Sequence, residues 1–217
     1  MEPSRAEKFF SNIFSAICNP LILPFCLFAL LSYTIPLCRL YIAVYPGYFI
    51  LKSLGIILFS ALIPLLYIRN VRKIRTNISI RELLVFTLIL NCITFFITRT
   101  NTPSAVSIAL LGSFSASFTA LVLMIIETYF SEIDIYSASA GIMALFVLAG
   151  LFFTPPTSAF ALFFVVSTVL IALGLILSLL IAAGKSTIKK TIIGLITAVI
   201  AFCVSAFTIG FYTLIEI

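Results

Sequence analysis

The stretch that decides the fold is SAFALFFVVSTVLIALGLILSLLIAA, residues 158–183, which holds no Asp, Glu, Lys or Arg. A bilayer core of roughly 30 Å takes about 20 apolar residues to cross as a helix, because each residue rises only about 1.5 Å. This run is long enough, and it has no polar face with which to meet water. Hydrophobic residues make up 63% of the 217, charged residues 9%, and the mean hydropathy is +1.29. A soluble domain would need polar outer faces that are missing here. The chain reads as an integral membrane protein.

Working outward, six further apolar runs appear, at 19–37, 48–68, 82–98, 105–130, 135–154 and 191–212. The expectation is one all-α domain over residues 1–217, a polytopic bundle of six or seven transmembrane helices. Tyr45-Pro46-Gly47, Asn101-Thr102-Pro103 and Pro155-Pro156 punctuate it. The first run carries Pro20, Pro24 and Pro36, so it is expected to be kinked or partly interfacial. Arg5 and Lys8 precede it, and no small-x-small cleavage site follows before Arg39, so it reads as an uncleaved first span.

Basic residues divide unequally between the two sides. Ten fall with the N-terminus and the even loops (Arg5, Lys8, Arg69, Arg72, Lys73, Arg75, Arg81, Lys185, Lys189, Lys190), against three on the other side (Arg39, Lys52, Arg99). The positive-inside rule then puts the N-terminus in the cytoplasm and the C-terminus outside. The basic residues adjoin helix ends, with no exposed domain to carry them, which argues against a nucleic-acid partner and for membrane lipids.

Small residues mark close packing. Gly112, Ala116 and Ala120 recur at four-residue spacing, Ser137 to Gly141 open another helix, and the last carries Gly194, Ala198 and Ser205. A tight bundle of these three helices is expected. Thr87, Asn91, Thr94 and Thr98 share one helix face, where Asn91 calls for an interhelical partner or serves a polar pathway. Of the acidic residues none sits at a helix centre; Glu127 is the nearest, and it is expected to reach into the headgroups.

The chain has no histidine, which removes the usual general acid or base near neutral pH. Its five cysteines (Cys18, Cys26, Cys38, Cys92, Cys203) show no Cys-x-x-Cys spacing, so they read as buried hydrophobes, with no metal site and no disulfide framework. No cofactor is expected.

Four segments carry a resemblance. They are Asn19-Pro20-Leu21 with Pro24, Arg81-Glu82-Leu83-Leu84, the run from Asp134 to Gly141, and Ser186-Thr187-Ile188-Lys189-Lys190 with Gly194. In order, spacing and loop parity they resemble small bacterial membrane members of the type 2 phosphatidic acid phosphatase superfamily. That family hydrolyses lipid phosphate esters through a histidine nucleophile and a second histidine that protonates the leaving group, with basic residues holding the phosphate. The resemblance implies that both catalytic positions are replaced here, by Tyr136 and Ser186. It leaves Arg81, with Lys185, Lys189 and Lys190, as phosphate or headgroup ligands. It implies a bacterial inner-membrane protein, phosphatidic acid phosphatase-like but a pseudoenzyme, that binds an anionic lipid or a membrane-protein partner. Two other readings stay open. One is a lipid phosphatase with Ser186 as an atypical nucleophile, activated by Asp134 or a lysine. The other is a small lipid or solute transporter served by Asn91.

Overall fold

The computed structural model describes residues 5–74, 79–100, 102–130, 134–153 and 159–215. Arg75, Asn101, Glu132, Pro155, Pro156 and Ser158, and the side chains of Arg72 and Lys73, lie outside the described residues. Every regular element among the described residues is helical. In order they are α1 (Arg5–Ile17), α2 (Leu23–Thr34), α3 (Pro36–Val44), α4 (Pro46–Ile57), a π-helical turn (Leu58–Leu62), α5 (Ile63–Ile74), α6 (Ile80–Arg99), α7 (Ser104–Phe130), α8 (Ile135–Phe153), α9 (Ala159–Ala182) and α10 (Ile188–Ile215). Five helical stretches are long and apolar enough to cross a bilayer, and the bent pair α2–α3 would be a sixth. That suits a multi-pass membrane protein. α8 is a further, shorter apolar helix.

The helix breaks follow the prolines. Pro20 cannot donate a backbone hydrogen bond, and Asn19 Oδ1 instead accepts from Leu21 N at 3.0 Å, turning the chain between α1 and α2. The first run is therefore not one helix over 19–37. It begins at Leu23 and breaks at Ile35, whose extended backbone (φ −77°, ψ 119°) is the conformation a following proline favours. α3 then departs at 93° to α2. α6 starts on a serine N-cap, with Ser79 Oγ accepting from Glu82 N at 3.1 Å.

α7 is the central post. Its Leu110, Phe114, Leu121 and Met124 are fully buried, and α10, α2 and α6 pack around it. The expected tight bundle of α7, α8 and α10 is present. A Cβ built on Gly194 would stand 3.0 Å from Ala138 N and from Ser137 Cβ, and one on Gly141 would stand 2.8 Å from Ala198 Cβ. Ser205 Oγ donates to Gly112 O at 2.7 Å across the α7–α10 seam. By contrast α9 turns Phe164, Leu170, Ile171 and Leu175 outward, the arrangement of a helix whose solvent is hydrocarbon.

α1 was not anticipated as a separate helix. Arg5, Lys8, Ser11, Asn12 and Ser15 fall on one face, and Phe9, Phe10, Ile13, Phe14 and Ile17 on the other. Ser11 and Ser15 are buried, whereas Phe9, Phe10, Ile13 and Ile17 are exposed. Part of the polar face is turned into the protein and the apolar face away from it. Such polarity suits a helix lying at the level of the headgroups with its apolar side in the acyl region.

Candidate functional site

The residues singled out for chemistry gather at one end of the bundle, where α1 ends, α6 and α8 begin, α7 and α9 end, and α10 begins. Arg81, at the start of α6, reaches the end of α7. Its Nε donates to Thr128 Oγ1 at 3.1 Å, and its guanidinium stacks 3.8 Å from the Tyr129 ring centroid. Lys52 lies at the other end of α6, donating to Thr98 O at 2.5 Å and Thr100 O at 2.9 Å. Arg81 and Thr98 are about 25 Å apart along the helix axis, close to the thickness of a hydrocarbon core.

The hub of this end is Asp134, which sequence reasoning treated only as a possible base. It is buried just ahead of α8. Oδ1 accepts from Tyr136 N and Ser137 N, each at 3.1 Å, capping the helix in the usual Asp fashion. Oδ2 accepts from the hydroxyls of Ser137 and Ser186. Ser186 Oγ also lies 2.9 Å from Thr191 Oγ1. Both oxygens of the carboxylate thus each hold two donors. Ser186 is buried between Asp134 and Thr191, and Tyr136 enters the cluster through its backbone N–H while its ring is half-buried.

The α9–α10 loop delivers Ser186 to this hub, and a glycine makes that possible. Gly184 has φ +70°, the left-handed conformation that costs a residue with a Cβ about 1–2 kcal/mol. Gly184 N donates to Ile181 O at 2.9 Å and Lys185 N to Leu180 O at 3.0 Å, the paired bonds of a Schellman cap. The cap turns the chain so that Lys185 meets α1. Its Nζ donates to Ser11 O (3.2 Å), Asn12 Oδ1 (2.9 Å) and Ser15 Oγ (2.7 Å). All three acceptors are neutral, so none of them compensates the ammonium charge. Burial there pushes the lysine pKa below its ordinary value. Two successive residues therefore staple two elements: Lys185 holds α1 and Ser186 holds α8.

Lys189 is exposed on the first turn of α10, and Lys190 is half-buried beside it. Arg5 and Lys8 are exposed on α1. Glu127 does not reach into the headgroups. It faces α10, where Oε1 accepts from Thr197 Oγ1 while Oε2 is buried with no partner. Cys18, buried at the end of α1, has its thiol pushed up to about 11 by desolvation, with Cys26 and Asp134 adding to the shift. Among the described residues no group of His, Cys, Asp and Glu could hold a metal ion.

Asn91 lacks the interhelical partner expected for it. It is fully buried, and neither Oδ1 nor Nδ2 has a hydrogen bond. Thr87, Thr94 and Thr98 bond their own helix, each to a carbonyl four residues back at 2.7 Å. α4–α5 runs antiparallel to α6, with Gly55 beside Thr98 and Tyr67 stacked on Phe86 at 4.2 Å. That register sets Asn91 level with the π-helical turn.

No protein-family model, curated protein or solved structure shows significant similarity to this chain.

Proposed function

We propose that this chain is a phosphatidic acid phosphatase-like bundle of the bacterial inner membrane, with six or seven spans and its N-terminus in the cytoplasm, that holds an anionic lipid headgroup without cleaving it. The observation that carries this reading is how the Ser186 hydroxyl is used. Nucleophilic catalysis needs a hydroxyl aimed at an open position beside a base with spare capacity. Here Asp134 already accepts four hydrogen bonds, and Ser186 is buried against Thr191. The dyad works as a structural clamp. Around it the cations remain: Lys185 among neutral acceptors, Lys189 exposed, Lys190 half-buried, and Arg81 at the rim on Tyr129. Each basic residue near an anionic membrane surface contributes about 1 kcal/mol of attraction.

The experiment is phosphate release from phosphatidic acid by the purified chain, run beside lipid retention in native mass spectrometry. Retention of phosphatidylglycerol above phosphatidylcholine, without phosphate release, is expected. Arg81→Ala with Lys189→Ala should lower that preference. Phosphate release abolished by Ser186→Ala would establish the enzyme reading instead.

A second reading, movement of a small polar solute or lipid, rests on Asn91 alone. A buried amide with two unpaired atoms is costly and marks a polar pathway when function retains it. Flux in proteoliposomes that falls on Asn91→Leu would favour this reading.

A further inference from the structure

Asn91 is fully buried, yet neither Oδ1 nor Nδ2 has a partner. The groups around it define the kind of molecule that would supply one. The helix face that carries Asn91 also carries Thr98, two turns on, and a Cβ built on Gly55 of α4 would stand 3.9 Å from Thr98 Cγ2. That face therefore looks onto α4–α5, where the π-helical turn stands level with Asn91. The turn packs against α6, and its buried residues are Ser60 and Ala61.

Hydrogen-bond acceptors outnumber donors along this seam. Thr87, Thr94 and Thr98 donate their hydroxyl hydrogens to Leu83 O, Leu90 O and Thr94 O, and Ser60 donates its own to Ile56 O at 2.5 Å. Each of these hydroxyl oxygens keeps lone pairs and has no further hydrogen to offer. The π-helical turn adds backbone acceptors. Phe59 O would ordinarily accept from Ile63 N, which donates to Leu58 O instead, and the usual donor for Ser60 O falls at Pro64, which has no N–H. On the α6 stripe the two hydrogens of Asn91 Nδ2 are the side-chain donors still unused.

Among the described residues no charged side chain of α4, α5, α6 or α7 lies at this depth. Asn91 is about 15 Å along α6 from Arg81 and about 10 Å from Thr98, whose carbonyl holds Lys52. The acidic residues of α6 and α7, Glu82 and Glu127, sit at the Arg81 end. An ion beside Asn91 would have no opposite charge to offset its desolvation, and a metal ion or ammonium cannot accept from Nδ2. The complementary occupant is neutral and rich in N–H donors, with one carbonyl oxygen beside them.

We infer that Asn91 and the π-helical turn form an occluded site for a urea-like neutral amide, which is the solute class of the transport reading above, on which this inference rests. The solute carbonyl accepts from Asn91 Nδ2, one solute N–H donates to Asn91 Oδ1, and a second meets the carbonyls of the turn. The threonine hydroxyls at Thr94 and Thr98 continue the row of acceptors toward the Lys52 end.

The test is solute flux into proteoliposomes holding the full chain, with urea, acetamide, glycerol, potassium and formate as probes, each beside protein-free liposomes. Urea and acetamide should enter faster than they enter protein-free liposomes, and the other three no faster. Asn91→Leu should return the two amides to the protein-free rate. Thr94→Val, which keeps the shape and removes one acceptor, should slow urea roughly two- to tenfold, the worth of one hydrogen bond. Potassium, formate or glycerol flux that falls on Asn91→Leu would overturn the neutral-amide class and leave the transport reading standing. No Asn91-dependent flux of any probe would overturn both. Should Asn91→Leu fail to fold, Thr94→Val decides the matter, since an unchanged urea rate in that variant would overturn the site.

Discussion

Replacing Asp134 with Ala tests the clamp at its centre. The carboxylate caps α8 through two backbone N–H groups and accepts the hydroxyls of Ser137 and Ser186. Loss of an Asp N-cap costs about 1 kcal/mol. A buried hydroxyl deprived of a charged acceptor costs roughly 1.5–3 kcal/mol. Ser137 is fully buried and bears that cost in full. Ser186 recovers part of its share, because Thr191 Oγ1 lies 2.9 Å away and Thr187 O 3.3 Å away. The expected loss is roughly 3–5 kcal/mol in all. The assay is equilibrium unfolding in mixed micelles titrated with a denaturing detergent, read by helical circular dichroism. Asp134→Ala and Ser186→Ala should be non-additive, the double variant recovering about 1–2 kcal/mol of the summed single effects, since each removes one end of the same bond. A loss within about 0.5 kcal/mol of wild type would refute the clamp, for that is the range of surface substitutions away from any such feature. So would strict additivity of the pair.

Three further outcomes are expected. Gly194→Ala should destabilise the bundle by roughly 1–3 kcal/mol, because its Cβ would press on the Ala138 backbone N at 3.0 Å. Gly210→Ala, with open space around it, should be neutral or stabilising; equal effects at the two positions in the same unfolding assay would contradict the α8–α10 contact. Asn91→Leu should raise stability by about 1–3 kcal/mol by removing two unpaired buried polar atoms, and a fall in the unfolding midpoint would show that Asn91 has a partner. Finally, Cys18 should react with a thiolate-selective alkylating reagent at pH 8 at least about 100-fold more slowly than a free cysteine peptide. A thiol pKa near 11 leaves about a thousandth as thiolate at that pH, and labelling followed by peptide mass checks it.

Much of the bundle was legible because packing in hydrocarbon selects small residues. Gly112, Gly141, Gly194 and Ser205 each stand at a close contact between α7, α8 and α10. Proline read equally well, as the break at Ile35–Pro36 shows. α1 escaped notice because its apolar face merges with the following run. The signal was there: Arg5, Lys8, Asn12 and Ser15 recur at helical spacing opposite Phe9, Ile13 and Phe14. Asp134 was also legible in principle, as an acidic residue immediately ahead of an apolar helix. Its bond to Ser186 was not, since 52 residues separate the two and only the packed α8–α10 seam brings them together. The attachment of Lys185 to α1 has the same cause at a separation of 170 to 174 residues. The π-helical turn level with Asn91 has no sequence signature that we can identify.

The most direct test of the account is the mass of the lipid left on the protein after incubation with phosphatidic acid in neutral detergent. Binding without cleavage predicts an adduct at the mass of intact phosphatidic acid, retained above phosphatidylcholine. An adduct at the mass of diacylglycerol, or no preference for the anionic lipid, would contradict it.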